Sequence, residues 1–126
     1  MTNRELIAAA YEAMAYAYAP YSGFRVGAAL LTKSGKVYTG VNIENASYGA
    51  TICAERTACA KAVAEGERAF QAIAVASERE LTWPCGICRQ FLAEFCDDNF
   101  EIVSGDRAGN LKVYTLGELF PEGFAL

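Results

Sequence analysis

The chain has 126 residues, enough for one domain with a hydrophobic core of its own, and its 53% hydrophobic and 21% charged residues are those of a soluble globular protein. A net charge of −4 argues against nucleic acid as a partner, because a phosphate backbone is gripped by a basic face. No run approaches the roughly 18 apolar residues of a membrane span, and Arg4, Glu5 and Glu12 break up an N-terminus that a signal peptide would keep apolar; both point to a cytoplasmic protein with no membrane partner.

Thr2 and Glu5 form a capping-box pattern, and the alanine-rich stretch after them predicts a helix to about Ala17, ended by the turn residues Ala19-Pro20-Tyr21-Ser22-Gly23. Phe24 to Leu31 reads as a strand, Lys33-Ser34-Gly35-Lys36 as a hairpin turn, and Val37 to Ile43 as the returning strand. Alanine and apolar positions recur at helical spacing from Thr51 to Ala64, closed by Gly66. The apolar run Ala72 to Ala76 suits a buried strand. Pro84 opens a second helix, from about Cys85 to Phe95. Glu101 to Val103 and Leu111 to Tyr114 read as two more strands, and Thr115 as the cap of a short last helix. The order α-β-β-α-β-α-β-β-α predicts an α/β layered sandwich, with helices covering the sheet.

Five cysteines make an odd number in a pattern unlike a secreted disulfide framework, and the chain has no histidine. Two short strings carry the chemistry: Cys53-Ala54-Glu55, and Pro84-Cys85-Gly86-Ile87-Cys88. A structural zinc site is closed by four protein ligands, whereas a catalytic one has three and leaves a position open. Cys53, Cys85 and Cys88 supply three. On the predicted elements all three lie at helix N-termini, where the helix dipole and free N–H groups favour thiolates. Glu55, two residues from a ligand, is placed to handle the proton of a zinc-activated water. Three thiolates on a divalent ion leave a net −1 charge, and Arg56 can offset it by donating to ligand sulfurs. Cys59, six residues past Cys53, faces about 240° away round a helix. Both Cys59 and Cys96 read as small core residues outside the site. Asn42 and Glu44, two apart on a predicted strand, project to one face.

Cys-x-Glu followed by Pro-Cys-x-x-Cys is the pattern of zinc deaminases. The resemblance extends through Ala19-Pro20-Tyr21-Ser22, Phe24-Arg25-Val26-Gly27-Ala28-Ala29, Asn42-Ile43-Glu44-Asn45-Ala46, Cys53 to Ala58, and Pro84 to Gln90. Over nearly its whole length the chain resembles cytidine deaminases of the small homotetrameric type. The resemblance implies a three-layer α-β-α sandwich with a mixed five-stranded sheet, and a single zinc-dependent deaminase domain over residues 1–126. It implies one zinc ion per chain on Cys53, Cys85 and Cys88, with Glu55 as proton shuttle in the hydrolytic deamination of cytidine and 2′-deoxycytidine. By the same resemblance Asn42 and Glu44 hold the ribose, Phe24 faces the pyrimidine, and Ala54 offers a backbone group to the base edge. Ala46, Tyr48 and Phe124 reach a neighbouring subunit's pocket in a homotetramer with shared sites. Gln90 belongs to the motif without an assigned role.

Three other readings use the same strings. A deaminase of the blasticidin S type shares both, but Arg56 and the strand from Asn42 to Ala46 favour the nucleoside enzyme. A thiol–disulfide oxidoreductase would use Trp83-Pro84-Cys85-Gly86-Ile87-Cys88 as its redox pair, and would need neither Cys53 nor Glu55. A zinc-stabilised module without activity would keep the ligands and lack the turnover.

Overall fold

In the computed structural model, which describes residues 1–126, Thr2 caps the first helix through its hydroxyl, which accepts from the Glu5 N–H at 3.1 Å. The elements are α1 (Asn3–Ala13), β1 (Val26–Thr32), β2 (Val37–Val41), α2 (Ala54–Ala64), β3 (Phe70–Ser77), α3 (Gly86–Ala93), β4 (Glu101–Gly105), β5 (Leu111–Thr115) and α4 (Leu116–Leu119). Thr115 and Glu118 cap α4 reciprocally, each side chain accepting from the other's backbone N–H. No helix is long and apolar enough to cross a membrane.

The five strands form one mixed sheet in the order β2-β1-β3-β4-β5. Only β3 and β4 run parallel, and α3 lies in the connection between them. All seven residues of β1 are buried because both faces of the sheet are covered. Ala29 and Leu31 face Leu6, Ile7 and Ala10 of α1, together with Ala72, Ala74 and Val103. Ala28 and Leu30 face the other way, toward Ala54, Ala58 and Ala62 of α2 and Leu92 of α3, in a core shared with Ile73, Val75 and Ile102. This alternation builds the α-β-α layers. Cys59 is fully buried in the same core, and half-buried Cys96 packs against it.

Gly40 lets α2 sit directly on the edge strand. A Cβ there would lie 2.4 Å from both the Ala54 carbonyl oxygen and the Ala58 nitrogen. Gly27 does the same for α1, where a Cβ would come within 2.1 Å of the Ala10 carbonyl oxygen.

Several element ends differ from the sequence expectation, for one connected reason. Helix α1 stops at Ala13 and tightens into a 3-10 turn, Met14–Tyr16, because Tyr18 is needed elsewhere. Its N–H bonds the Asn42 carbonyl at 3.0 Å, and its carbonyl accepts from Glu44 at 2.8 Å. Strand β2 ends at Val41 rather than Ile43, since Ile43 turns to pair with Ile52 through two backbone bonds of 2.9 and 3.0 Å. That bridge keeps the chain extended to Cys53, so α2 starts at Ala54 and not at Thr51.

Candidate active site

Cys53 and Cys85 hold the same position in two helices. Each immediately precedes the first helical residue, with extended backbone, and neither side chain caps its own helix. Both thiols therefore remain free to turn toward a common point, where buried Cys88, in the first turn of α3, meets them. The three sulfur atoms lie within 4.8 Å of one another, and Cys53 Sγ is 3.9 Å from Cys85 Sγ. Tetrahedral zinc, with Zn–S bonds of about 2.3 Å, holds two sulfurs ~3.8 Å apart. The trio thus fits three corners of a zinc site whose fourth corner is open.

Arg56 serves this cluster. Its Nη2 donates to Cys53 Sγ at 3.6 Å and to the Thr51 carbonyl at 3.4 Å, while its buried Nε has no hydrogen-bond partner. The bond shared with Cys88, aided by the Arg56 guanidinium, pulls the Cys53 thiol down to about 5; the same bond, together with burial, holds Cys88 up. Cys59 and Cys96 behave differently: burial pushes them up to about 11 and about 12, so both stay protonated and inert.

Glu55 stands in the first turn of α2 and is only 4% exposed. Burial pushes its carboxyl up to about 7, and the Cys53 thiolate pushes the same way. A carboxyl balanced near neutrality can both take and give a proton.

A cavity of about 270 Å³ opens onto these groups. Phe24, Asn42, Glu44, Cys53, Ala54, Glu55 and Cys85 all line it. Strand β2 ends before Asn42 and Glu44, so it does not carry them as expected, yet both line this cavity. The Asn42 amide turns into the backbone, donating to the Phe24 carbonyl at 2.8 Å and accepting from the Val26 N–H at 2.9 Å. Glu44 accepts from the Tyr21 and Ser22 N–H groups at 2.9 and 3.1 Å and from the Ser22 hydroxyl, and that hydroxyl bond above all keeps its pKa below the usual range. The Arg79 guanidinium lies 4.9 Å from the centre of the Phe24 ring. The Ala54 carbonyl lies against Gly40, which leaves its N–H as the backbone group available to the cavity.

Ala46, Tyr48 and Phe124 lie outside this cavity. Tyr48 is 79% exposed, edge-on to Tyr21 at 6.3 Å, and lines an adjoining cavity of about 370 Å³ that shares Ser22, Glu44 and Thr51 with the first. The sequence reading missed Ser22, Val26, Thr51, Ile52, Thr82 and Trp83 as lining residues. All six lie within two residues of Phe24, Cys53 or Pro84, so proximity to motif residues was the available signal. A further cleft of about 400 Å³, between α1 and the β2 edge, holds none of the thiols or Glu55.

Three thiols placed for zinc beside a buried carboxylate fit the class of zinc-dependent hydrolases. Comparison with known proteins makes it specific. Residues 1–104 match the family model for the cytidine and deoxycytidylate deaminase zinc-binding region. The chain is 49% identical over 125 residues to a cytidine deaminase of Halalkalibacterium halodurans, covering 98% of this chain and 95% of the other. It is 45% identical over 126 residues to one of Sporosarcina psychrophila, covering 99% and 93%. The crystal structure of cytidine deaminase from Burkholderia pseudomallei superposes with a TM-score of 0.94 at 49% identity, over 98% of this chain and 100% of that one. The chain belongs to the cytidine and deoxycytidylate deaminase family. Neither the redox pair nor the blasticidin S reading is favoured: Cys53 converges on the Cys85-x-x-Cys88 pair, and the relatives are cytidine deaminases.

Proposed function

We propose that residues 1–126 form one deaminase domain that converts cytidine and 2′-deoxycytidine to uridine and 2′-deoxyuridine with release of ammonia, in cytoplasmic pyrimidine salvage. The observation carrying this reading is a single cavity lined by Glu55, two of the three clustered cysteines, an aromatic ring and the amide–carboxylate pair Asn42 and Glu44.

Cys53, Cys85 and Cys88 would hold a zinc ion, which would supply the Lewis acidity that makes a water molecule nucleophilic at neutral pH. Glu55 takes a proton from the attacking water and delivers it to N3 of the pyrimidine, which makes C4 electrophilic. After the water oxygen has bonded to C4, Glu55 takes the remaining proton from that hydroxyl and passes it to the amino nitrogen, and the C4–N bond breaks to leave a C4 carbonyl and ammonia. Arg56 offsets negative charge on the sulfurs. The Ala54 N–H faces the base edge, Phe24 one face of the ring, and Glu44 and Asn42 the sugar. Ammonia release across cytidine, 2′-deoxycytidine, cytosine and blasticidin S tests the assignment. Turnover confined to blasticidin S, or absent throughout in zinc-replete protein, would overturn it.

Glu44→Ala is expected to weaken nucleoside binding roughly ten-fold or more, as loss of a charged hydrogen bond does, while kcat changes little. Discrimination against free cytosine, which has no sugar, should shrink with it. Equal changes in kcat/KM for cytidine and cytosine would mean that Glu44 does not read the sugar.

We further infer a homotetramer in which Ala46, Tyr48 and Phe124 complete a neighbour's site; the exposure of both aromatic rings, outside the chain's own cavity, supports this. Glu55→Ala and Tyr48→Ala chains, each impaired alone, should then regain activity when unfolded and reassembled together, because some sites combine Glu55 from one chain with Tyr48 from another. Mixed oligomers no more active than the average of the two parents would show that each chain builds its site alone.

A further inference from the structure

The C-terminal segment displays Phe124 in a manner that an idle tail does not need. The residue is 68% exposed, yet its backbone is held on both sides by one side chain. Gln90 Nε2 donates to the Phe124 carbonyl at 3.0 Å, and the Phe124 N–H donates to Gln90 Oε1 at 3.2 Å. An amide is the side-chain group that can donate and accept in this paired way, as a strand neighbour would. The segment leading to it is also shaped. Glu122 takes a left-handed φ of 56°, and a Cβ at Gly123 would lie 2.5 Å from the Phe120 ring. Arg89, beside Gln90, reaches back to the Pro84 carbonyl through Nε at 2.7 Å and forward to the Leu119 carbonyl through Nη1 at 2.6 Å. Cys85, just before helix α3, and Cys88 in its first turn are therefore followed on the same helix by two residues that fasten the tail.

We infer that Gln90 is a positioning residue, which clasps the Phe124 backbone so that the exposed ring is presented in a fixed pose to the substrate site of a second copy of this chain. This rests on the shared-site reading given above. The chain's own cavity leaves Phe124 out. Fixing the segment beforehand removes an ordering cost that substrate binding would otherwise bear. Gln90 thus acts on binding and, unlike Glu55, stands apart from the proton transfers.

The test measures zinc-replete tetramer in three single variants and one double. In Gln90→Ala, KM for cytidine should rise about five-fold or more, the size of one or two ordinary hydrogen bonds, with kcat and zinc content near those of the parent. Gln90→Glu keeps the acceptor and loses the donor, so its KM should lie between. Hydrogen exchange supplies a readout independent of activity: the Phe124 amide should exchange faster in Gln90→Ala than in the parent. Phe124→Ala should raise KM as well, and adding Gln90→Ala to it should change KM no further. If Phe124→Ala raises KM but Gln90→Ala leaves it unchanged, or if the two effects add in full, the positioning role is overturned and the shared site stands. If Phe124→Ala itself leaves KM unchanged, the shared-site reading falls, and this inference with it.

Discussion

Glu55→Ala is expected to lower kcat by ~10²–10⁴, the usual worth of a general acid–base, while the protein folds, holds zinc and binds substrate. Glu55 is close to the thiol trio but outside it, so removing its carboxylate leaves the ligand set intact. The groups proposed to hold the nucleoside, Ala54 N–H, Phe24 and Glu44, remain in the cavity. Single-turnover kinetics at saturating cytidine, alongside metal analysis, separate the effects. A variant with full zinc and near-normal turnover would remove Glu55 from the proton path.

The same burial has a cost in stability. An ordinary glutamate near 4.5 and Glu55 at about 7 differ by about 3 kcal/mol of folding free energy. Between those pH values the folded chain keeps a proton that the unfolded chain has lost. Stability therefore falls as pH rises through this window, and the full cost is present above about 7. Glu55→Gln is neutral at every pH. Denaturant unfolding should find it more stable than the parent at pH 8, by up to that amount, with the gap narrowing as pH falls toward 5. A gap of the same size at both ends would assign the titration to another group.

The site's chemistry was legible in the sequence because it depends on residue types at short spacing. Cys85 and Cys88 stand three apart, Glu55 two from Cys53, and a chain without histidine leaves few other strong ligands for zinc. The number and order of strands and helices was legible too, since apolar periodicity and turn residues are local signals. What brings Cys53 and Cys85 to 3.9 Å was not. Their convergence depends on β3 lying beside β1 rather than β2, and on α2 and α3 starting at the same place. Both are set by pairings between distant segments. The same limit explains the misplaced ends of α1, β2 and α2. Tyr18, Ile43 and Ile52 pair across 9 to 25 residues, and such bridges override the local propensity of an alanine run or a valine-rich strand. Ser22 under Glu44 and Gln90 under Phe124 belong here as well: each is a polar side chain whose partner lies more than twenty residues away.

Replacing any one of Cys53, Cys85 or Cys88 by alanine should reduce bound zinc to a small fraction of one ion per chain and take activity with it. Two sulfurs cannot complete a set that has no fourth protein ligand in reserve, and no histidine is present to substitute. Cys85→Ala is the most informative of the three, because Cys85 is exposed and its loss leaves no cavity in the core. Cys88→Ala, at a buried position, will lower stability as well as zinc affinity. Unlike a zinc finger, the fold should survive metal loss, since its sheet is covered on both faces by apolar cores built from residues other than Cys53, Cys85 and Cys88. The circular dichroism spectrum of Cys85→Ala should therefore stay close to that of the parent while its metal content collapses. Cys59→Ala and Cys96→Ala are the controls. Both thiols are held protonated by burial and lie outside the trio, so both variants should keep one zinc per chain and most of the activity. Zinc lost from either control but retained in Cys85→Ala would mean that the ion is held elsewhere. Zinc retained with activity abolished in Cys85→Ala would make Cys85 part of the chemistry but not of the ligand set.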